Sequence, residues 1–243
     1  MGVVAILPKG RFFLQPRKKQ FMFPVFGRIT ILERPVGRDR QATKGDNQMA
    51  TIVFSNTGDV DTRVLAALWD GIPDARVLDV RPGTPNARRA VDAAIAEEED
   101  ALVLCGHGSP QGLFDPSVMA RGDLRAIARN PPYLVDADNA SSIRARRVVG
   151  VWCYAAAFAE SAGLRGFFTG MFVSNPAEAA FVGCPGRDSA ATITEQEVLF
   201  CRRVNELLRA GTPLSEWIPR LDAQADRSIG VVRYNYDRLR TRS

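Results

Sequence analysis

Histidine is almost absent from this chain of 243 residues, which contains His107 alone. Its four cysteines, Cys105, Cys153, Cys184 and Cys201, are widely separated and form no C-x-x-C pair. With so few imidazoles and no paired thiols, the sequence argues against a zinc site. A chain of this length can bury a sizeable apolar core without disulfides, so we expect reduced thiols.

Long apolar runs are also lacking. No stretch has the length that is needed to cross a bilayer. The opening segment, residues 1–8, is too short and too soon interrupted by proline to be a signal peptide. We therefore expect a cytoplasmic protein without a membrane partner.

Positive charge is concentrated at one end of the chain. The formal net charge is +5, but residues 1–48 hold 10 of the 32 basic and 3 of the 27 acidic residues. The remainder is close to neutral. A basic arm can bind phosphate without sequence specificity, but no nucleic-acid motif accompanies it, so nucleic-acid binding is not expected.

The chain changes character at Met49. Residues 1–48 mix basic residues with proline and glycine, and residues 38–47 form a polar, turn-rich stretch typical of a linker. We interpret residues 1–48 as a basic N-terminal extension that is disordered or a mis-assigned start, with a pro-segment or docking arm as the alternatives. Residues 49–243 are expected to form one domain.

Strand and helix patterns alternate after Met49. Buried strands are predicted at 51–56, at 75–80 and in the run that ends at His107, with helical spacing at 59–69 and 87–98 between them. This β-α-β-α-β order indicates a predominantly parallel sheet with helices on both faces.

The C-terminal part has a less regular pattern. A helix is predicted from Thr194 to Ala210, with Glu197 completing a capping box and Gly211 stopping the helix. Residues 229–234 are predicted to form an edge strand, and residues 238–242 a frayed basic tail.

Two apolar runs end in residues that can do chemistry. Leu102–Cys105 leads into Gly-His107-Gly, and Val148–Trp152 leads directly into Cys153. Open α/β folds keep their active sites at the carboxyl ends of parallel strands. The sequence therefore predicts a nucleophilic site in which an imidazole serves the Cys153 thiol.

Acyl transfer also needs donors for the developing oxyanion. Gly108 offers an N–H beside the histidine, and the N–H of Cys153 points the same way if Tyr154 opens a helix. A serine hydrolase is disfavoured, because the chain has no G-x-S-x-G elbow and no second histidine. The competing interpretation is structural, with Cys153 a buried thiol and His107 a packed or surface residue.

The two runs resemble those of the caspase-like cysteine peptidases, the group that includes caspases, legumain, gingipain, clostripain, separase and CHAT-type proteases. The matches are Leu102–Gly108 and Val148–Cys153, in the family's order, and the resemblance extends over roughly residues 51–183. The chain departs from the caspases in having Trp152 where they carry alanine and in lacking the Gln-Ala-Cys-Arg-Gly string.

The resemblance implies a caspase-like three-layer α/β/α sandwich and a thiol protease that hydrolyses proteins or peptides. Cys153 would attack the scissile carbonyl to form a thioester acyl-enzyme, His107 would protonate the leaving amine, and the N–H groups of Gly108 and Cys153 would hold the oxyanion. No metal and no organic cofactor would be needed. The alternative is a peptidase-like fold that has lost catalysis and serves as a binding or scaffold module.

The resemblance also suggests where the pocket for P1, the residue before the cleaved bond, would lie. In the family this pocket is lined by the loop after the first strand and by residues after the catalytic strands. Here these segments contain Asp59, Asp61 and Glu178. Carboxylates pair well with a basic P1 side chain, but Asp59 and Asp61 equally suit the first turn of a helix, and Glu178 a plain surface.

Overall fold

The fold is taken from a computed structural model, which describes residues 5–6, 12–13, 50–121, 133–186 and 188–243. Apart from an antiparallel pair of two-residue strands, β1 (Ala5–Ile6) and β2 (Phe12–Phe13), the predicted extension over residues 1–48 lies outside the described residues. Its character stays a prediction.

A six-stranded sheet forms the centre of the domain. Its strands are β3 (Ala50–Ser55), β4 (Arg76–Val80), β5 (Ala101–Cys105), β9 (Arg147–Val151), β10 (Gly166–Phe168) and β11 (Arg240–Arg242). They lie side by side in the order β11-β10-β9-β5-β3-β4. All neighbouring strands are parallel except β10 and β11, which are antiparallel. The predicted α/β class with a predominantly parallel sheet is confirmed.

The central strands are apolar on both faces, which explains why they are buried between two layers. In β5, Val103 and Cys105 point into one core, whereas Leu102 and Leu104 point into the other. Successive side chains of a strand face opposite sides, so a continuous apolar run requires a cover on each face.

Helices supply both covers, and the domain is a three-layer α/β/α sandwich compatible with the caspase-like arrangement. The first layer contains helices Ala87–Glu97, Ala137–Ala140 and Ala155–Ser161. The second contains the 3-10 helix Val64–Leu68 and helices Ala190–Arg209, Leu214–Ala223 and Gly230–Tyr236. The remaining elements of the described part are three short helices and a second sheet. The helices are Val60–Arg63, Pro116–Arg121 and Pro176–Phe181. The second sheet contains strands β6 (Gly108–Ser109), β7 (Gly112–Phe114) and β8 (Tyr133–Asp136).

Three local predictions at the C-terminal end were wrong. Residues 230–236 form a helix rather than a strand, and Arg240–Arg242 pairs with β10 instead of fraying. The long helix begins at Ala190 with Ser189 as its N-cap, so Glu197 lies in its third turn and completes no capping box. Gly211, with φ +61°, follows the end of that helix as predicted.

None of the helices within the described ranges is both long enough and apolar enough to cross a membrane.

Candidate active site

Sheet register brings the two candidate catalytic residues to the same place. Cys105, the last residue of β5, pairs with Val151, the last residue of β9. His107 and Cys153 each follow two residues later, and neighbouring strands lie only about 4.8 Å apart. The N–H of Gly106 continues the ladder by donating to the carbonyl of Val151 at 3.2 Å. His107 and Cys153 consequently line one cavity.

A carboxylate from the first βα loop holds the imidazole. Nε2 of His107 lies 2.8 Å from Oδ2 of Asp59. Oδ1 of Asp59 accepts from the N–H of Thr62, so the same residue caps helix Val60–Arg63. Both side chains are largely buried, with 21% of His107 and 12% of Asp59 exposed. Because Nε2 is engaged, Nδ1 is the ring nitrogen available to the thiol or a substrate.

This pairing shifts the pKa values of both partners. Burial alone would lower the pKa of His107, but the hydrogen bond and the charge of Asp59 outweigh it, so the pKa is raised. For Asp59, burial acts to raise the pKa, and the imidazole overcomes this and holds it well below its usual range. The imidazole is therefore a stronger base than a free histidine.

The thiol of Cys153 is half-buried and points towards the backbone of Phe172. Sγ donates to the carbonyl oxygen of Phe172 at 3.4 Å. Burial raises the pKa of this thiol, and the negative charge of Glu178 raises it further. Forming the nucleophilic thiolate therefore requires a nearby base or a change in the surrounding charge.

Trp152 contacts the segment that follows β5 and so connects the ends of β5 and β9. It is buried beside Cys153, and its indole N–H donates to the carbonyl of Ser109 at 3.2 Å. A Cβ on Gly108 would lie 2.1 Å from Cδ1 of this indole, so only glycine fits there. Behind Trp152, Oγ1 of the buried Thr169 donates to its carbonyl at 2.7 Å and accepts from its N–H at 3.1 Å.

Two backbone donors are available near the thiol. Because the carbonyl of His107 accepts from Phe114 N–H, Gly108 and Leu113 form a non-hydrogen-bonded pair, and the N–H of Gly108 points away from β7. The N–H of Cys153 has no acceptor among the residues that the structure describes. Helix Ala155–Ser161 starts directly after Tyr154, its N-cap, as the sequence argument required.

Of the three carboxylates predicted for substrate binding, Glu178 alone is among the residues that line the cavity in the described part of the chain. Oδ2 of Asp61 accepts from Asn175 Nδ2 at 3.1 Å. Oε2 of Glu178 accepts from the N–H and hydroxyl of Ser174 at 2.9 and 3.0 Å. Asp59 differs, because it uses both oxygens inside the protein.

Sequence reasoning missed a fourth carboxylate, that of Glu197. Its pKa is raised well above the usual range, first by burial and then by the charges of Asp61, Glu178 and Asp59. The signal was present, because Glu197 occupies a position four residues from both Ile193 and Cys201 on the apolar face of its helix. We overlooked this periodicity because we had interpreted Glu197 as part of a capping box.

The cavity between these groups is narrow, with a volume of about 30 Å³, which is room for roughly two water molecules. Besides His107, Cys153 and Glu178, its walls include Met171 and Phe181. Phe181 is 42% exposed, so it lies at the solvent side of the cavity.

Comparisons with models of known protein families, with curated proteins and with solved structures found no match for this chain.

Proposed function

We propose that this protein is a cysteine peptidase of the caspase-like type. One observation carries the proposal: the ends of two adjacent parallel strands bring an imidazole and a thiol to one cavity, and the imidazole is anchored from behind by Asp59. A nucleophile, a base and a group that orients the base are the parts that nucleophilic catalysis requires.

The arrangement suggests the following reaction. His107 takes the thiol proton of Cys153 as Sγ attacks the scissile carbonyl, and the N–H groups of Gly108 and Cys153 receive the oxyanion. The C–N bond then breaks, and the imidazolium gives its proton to the leaving amine. Water hydrolyses the resulting thioester, which releases the acid product and restores the thiol.

Asp59 acts through the histidine in this scheme. Its carboxylate fixes the ring orientation with Nε2 turned inward and stabilises the imidazolium that forms during attack. It is a positioning residue, since it touches neither the substrate nor the reacting atoms.

The second candidate is a binding or scaffold module without catalysis. One observation favours it, namely that Cys153 donates to Phe172 and has a raised pKa in the free protein. This state describes an inert thiol unless the substrate or His107 alters it. Thiol reactivity therefore separates the two candidates.

Iodoacetamide labelling followed by peptide mapping tests the proposal. We expect Cys153 to react fastest and His107→Ala to slow this reaction, because only that thiol has an imidazole beside it. Cys184, which is also partly exposed, is the control thiol within the chain. Equal labelling of Cys153 and Cys184, or a Cys153 rate that is unaffected by His107→Ala, would contradict the proposal and favour the scaffold module.

We also propose a cytoplasmic location. All four cysteines are free, which suits a reducing compartment. Fractionation of cells that express the tagged protein checks this, and recovery in a membrane or secreted fraction would count against it.

A further inference from the structure

Strand β4 forms one edge of the central sheet, and its outer side has no partner strand among the described residues. In the ladder with β3, the N–H of Asn56 donates to the carbonyl of Val80 at 2.8 Å. This bond fixes the alternation of the parallel ladder: even-numbered residues of β4 bond to β3, whereas the backbone groups of Val77 and Asp79 point outwards. Neither outward N–H has an acceptor within the part of the chain that the structure describes. The edge is therefore open to a further strand.

Charged side chains along this edge are paired within the protein. Arg76 forms an ion pair with Glu97, with the two atoms 2.7 Å apart. Oδ2 of Asp79 accepts from Nε and Nη2 of Arg81 at 2.9 and 2.7 Å. The N–H of Arg81 itself donates to Oγ1 of Thr84 at 2.9 Å, which closes the edge beyond Asp79. The open part is therefore short, and its ion pairs leave little net charge to repel a partner.

A cavity of about 390 Å³ lies beside the open part of the edge. Val77 and Asp79 of β4 form one wall, and Arg63, Ala66 and Trp69 form another. Val77 packs towards the core of the second helical layer, so the cavity lies on that side of the sheet. Side chains of a strand alternate between the two faces. Every second side chain of a strand added to β4 would consequently face this cavity.

Two donors at the cavity are unused. Arg63 has no hydrogen bond, ion pair or ring contact with any other described residue. The half-buried Trp69 lies against Phe54, with ring centroids 5.1 Å apart, but its indole N–H has no acceptor in the described ranges. Those ranges hold no enclosed side-chain nitrogen that lacks a partner, so this N–H reaches solvent. Because Asp79 is already bonded to Arg81, the guanidinium of Arg63 is the uncompensated charge of the cavity wall.

These unused groups select one kind of occupant. The outward backbone N–H groups, the indole N–H and the guanidinium are all donors, so a partner has to supply acceptors and negative charge. Residues 1–48 of the chain itself hold 10 basic and 3 acidic residues, which is the wrong balance to meet an arginine. A second copy of this edge would bring a further Arg63 rather than a carboxylate. An acidic segment of another protein has the matching charge.

We propose that the outer edge of β4 and the adjoining cavity bind an acidic segment of a partner protein, which adds to the sheet as an extended strand. Carbonyl groups of this segment accept from the N–H groups of Val77 and Asp79. A glutamate or aspartate side chain that faces the cavity accepts from Arg63 and from the indole of Trp69. None of the residues that line this cavity lines the candidate active-site cavity, so the proposal does not depend on the peptidase function.

Matched heptapeptides test the proposal on the full chain. The probe is acetyl-Thr-Glu-Val-Glu-Val-Glu-Thr-amide, whose glutamates share one face in an extended conformation. Fluorescence anisotropy of the dye-labelled peptide measures Kd. Replacing its glutamates by glutamine should raise Kd at least roughly 10-fold, because a hydrogen bond to a charged group is lost. Two analogues carry N-methyl groups on odd-numbered or on even-numbered residues, and only one of them should lose binding, because β4 pairs with one edge of the peptide.

Protein variants locate the peptide. Arg63→Gln should raise the Kd of the glutamate peptide roughly 10-fold and leave that of the glutamine peptide unaltered. Arg89→Gln, an exposed change in the opposite helical layer, is the control and should alter neither value. Trp152 and Trp217 are buried, so acrylamide quenching of fluorescence reports chiefly Trp69, the third tryptophan of the chain. Bound peptide should reduce this quenching.

Several outcomes would overturn the proposal and leave the peptidase function standing. Equal Kd values for the glutamate and glutamine peptides, or for wild type and Arg63→Gln, would show that charge does not select the occupant. Tighter binding of a lysine peptide of the same pattern would favour the basic residues 1–48 as the occupant. A protein that sediments as a dimer and binds no peptide would favour a second copy, and a monomer that binds no peptide would refute the docking edge.

Discussion

The two helical layers differ in the hydrogen-bond partners that they provide for buried polar side chains. In the first layer, the buried Asp136 is matched by Arg88, and the buried Asn139 donates to Asp92 and to a backbone carbonyl. In the second layer, the buried Asn205 likewise donates to the carbonyls of Ala67, in the 3-10 helix, and of Asp70, just after it. Glu197, by contrast, has no hydrogen-bond partner among the residues that the structure describes.

This difference distinguishes buried polar groups that stabilise the fold from those that are retained for a function. A buried polar group that serves the fold is satisfied inside the fold, as Asn139 and Asn205 are. A group that is left unsatisfied costs stability, and proteins retain such costs mainly at functional sites. The first layer is therefore expected to carry stability, and the N-terminal half of helix Ala190–Arg209 to carry function.

Ile95→Ala should produce the largest effect on stability and none on the site. Ile95 is fully buried in the first layer, so the change leaves a cavity and should lower the free energy of unfolding by about 2–5 kcal/mol. Denaturant unfolding measures this loss. Below the unfolding transition, the labelling rate of Cys153 should equal that of the wild-type protein, and a large fall in that rate would show that the layers are not separable.

Asp59→Asn should have an intermediate effect that depends on pH. Asparagine caps a helix as well as aspartate does, so the change removes chiefly the charge beside His107. The pKa of Asp59 is lowered and that of His107 is raised, so the pair stabilises the fold fully between the unfolded-state values of about 4 and 6.5. This contribution is lost as pH falls through the lowered pKa of Asp59, or rises through the raised pKa of His107.

We expect Asp59→Asn to cost about 1–3 kcal/mol at pH 5.5 and less at pH 9. Unfolding curves at both pH values measure this difference. Asp222→Asn, which removes an exposed partner of Arg227, is the control and should cost less than about 1 kcal/mol at either pH. A cost that is equal at pH 5.5 and 9 would show that the charge of Asp59 does not stabilise the imidazolium.

Glu197→Gln should have the smallest effect, and its sign is the informative part. Because the folded protein raises the pKa of Glu197, the native state binds more protons than the unfolded state, and stability falls as pH rises above about 4.3. The Glu197→Gln variant has no carboxyl group at this position, so its stability should not fall with pH for this reason. Between pH 4 and pH 8 it should gain about 1 kcal/mol or more relative to the wild-type protein, and Glu195→Gln, an exposed change on the same helix, should not. A parallel pH dependence of wild type and Glu197→Gln would mean that the carboxylate ionises without cost.

Much of the sheet could be predicted from the sequence, because a buried parallel strand requires a continuous apolar run. The predicted strand at 51–56 is observed at Ala50–Ser55, and the runs before His107 and Cys153 form β5 and β9. The same rule failed at residues 229–234, where the apolar residues belong to a short buried helix. A short apolar run has no periodicity that separates these two outcomes.

The candidate site was predictable only in part. The residues after β5 and β9 could be named from their place in the chain, since strand ends converge on one edge of a sheet. The pairing of Asp59 with His107 and the isolation of Glu197 depend on contacts between segments that are 48 or more residues apart, which no local pattern encodes.

The C-terminal strand β11 has a protective consequence that concerns association between molecules. An uncovered sheet edge is a template for pairing with another chain, and β10 would present two fully buried phenylalanines, Phe167 and Phe168, beside such an edge. Instead, Arg240–Arg242 occupies that edge in antiparallel register. Charged side chains on an outermost strand discourage a further strand from adding, so these three residues restrain intermolecular sheet growth and the aggregation that follows from it.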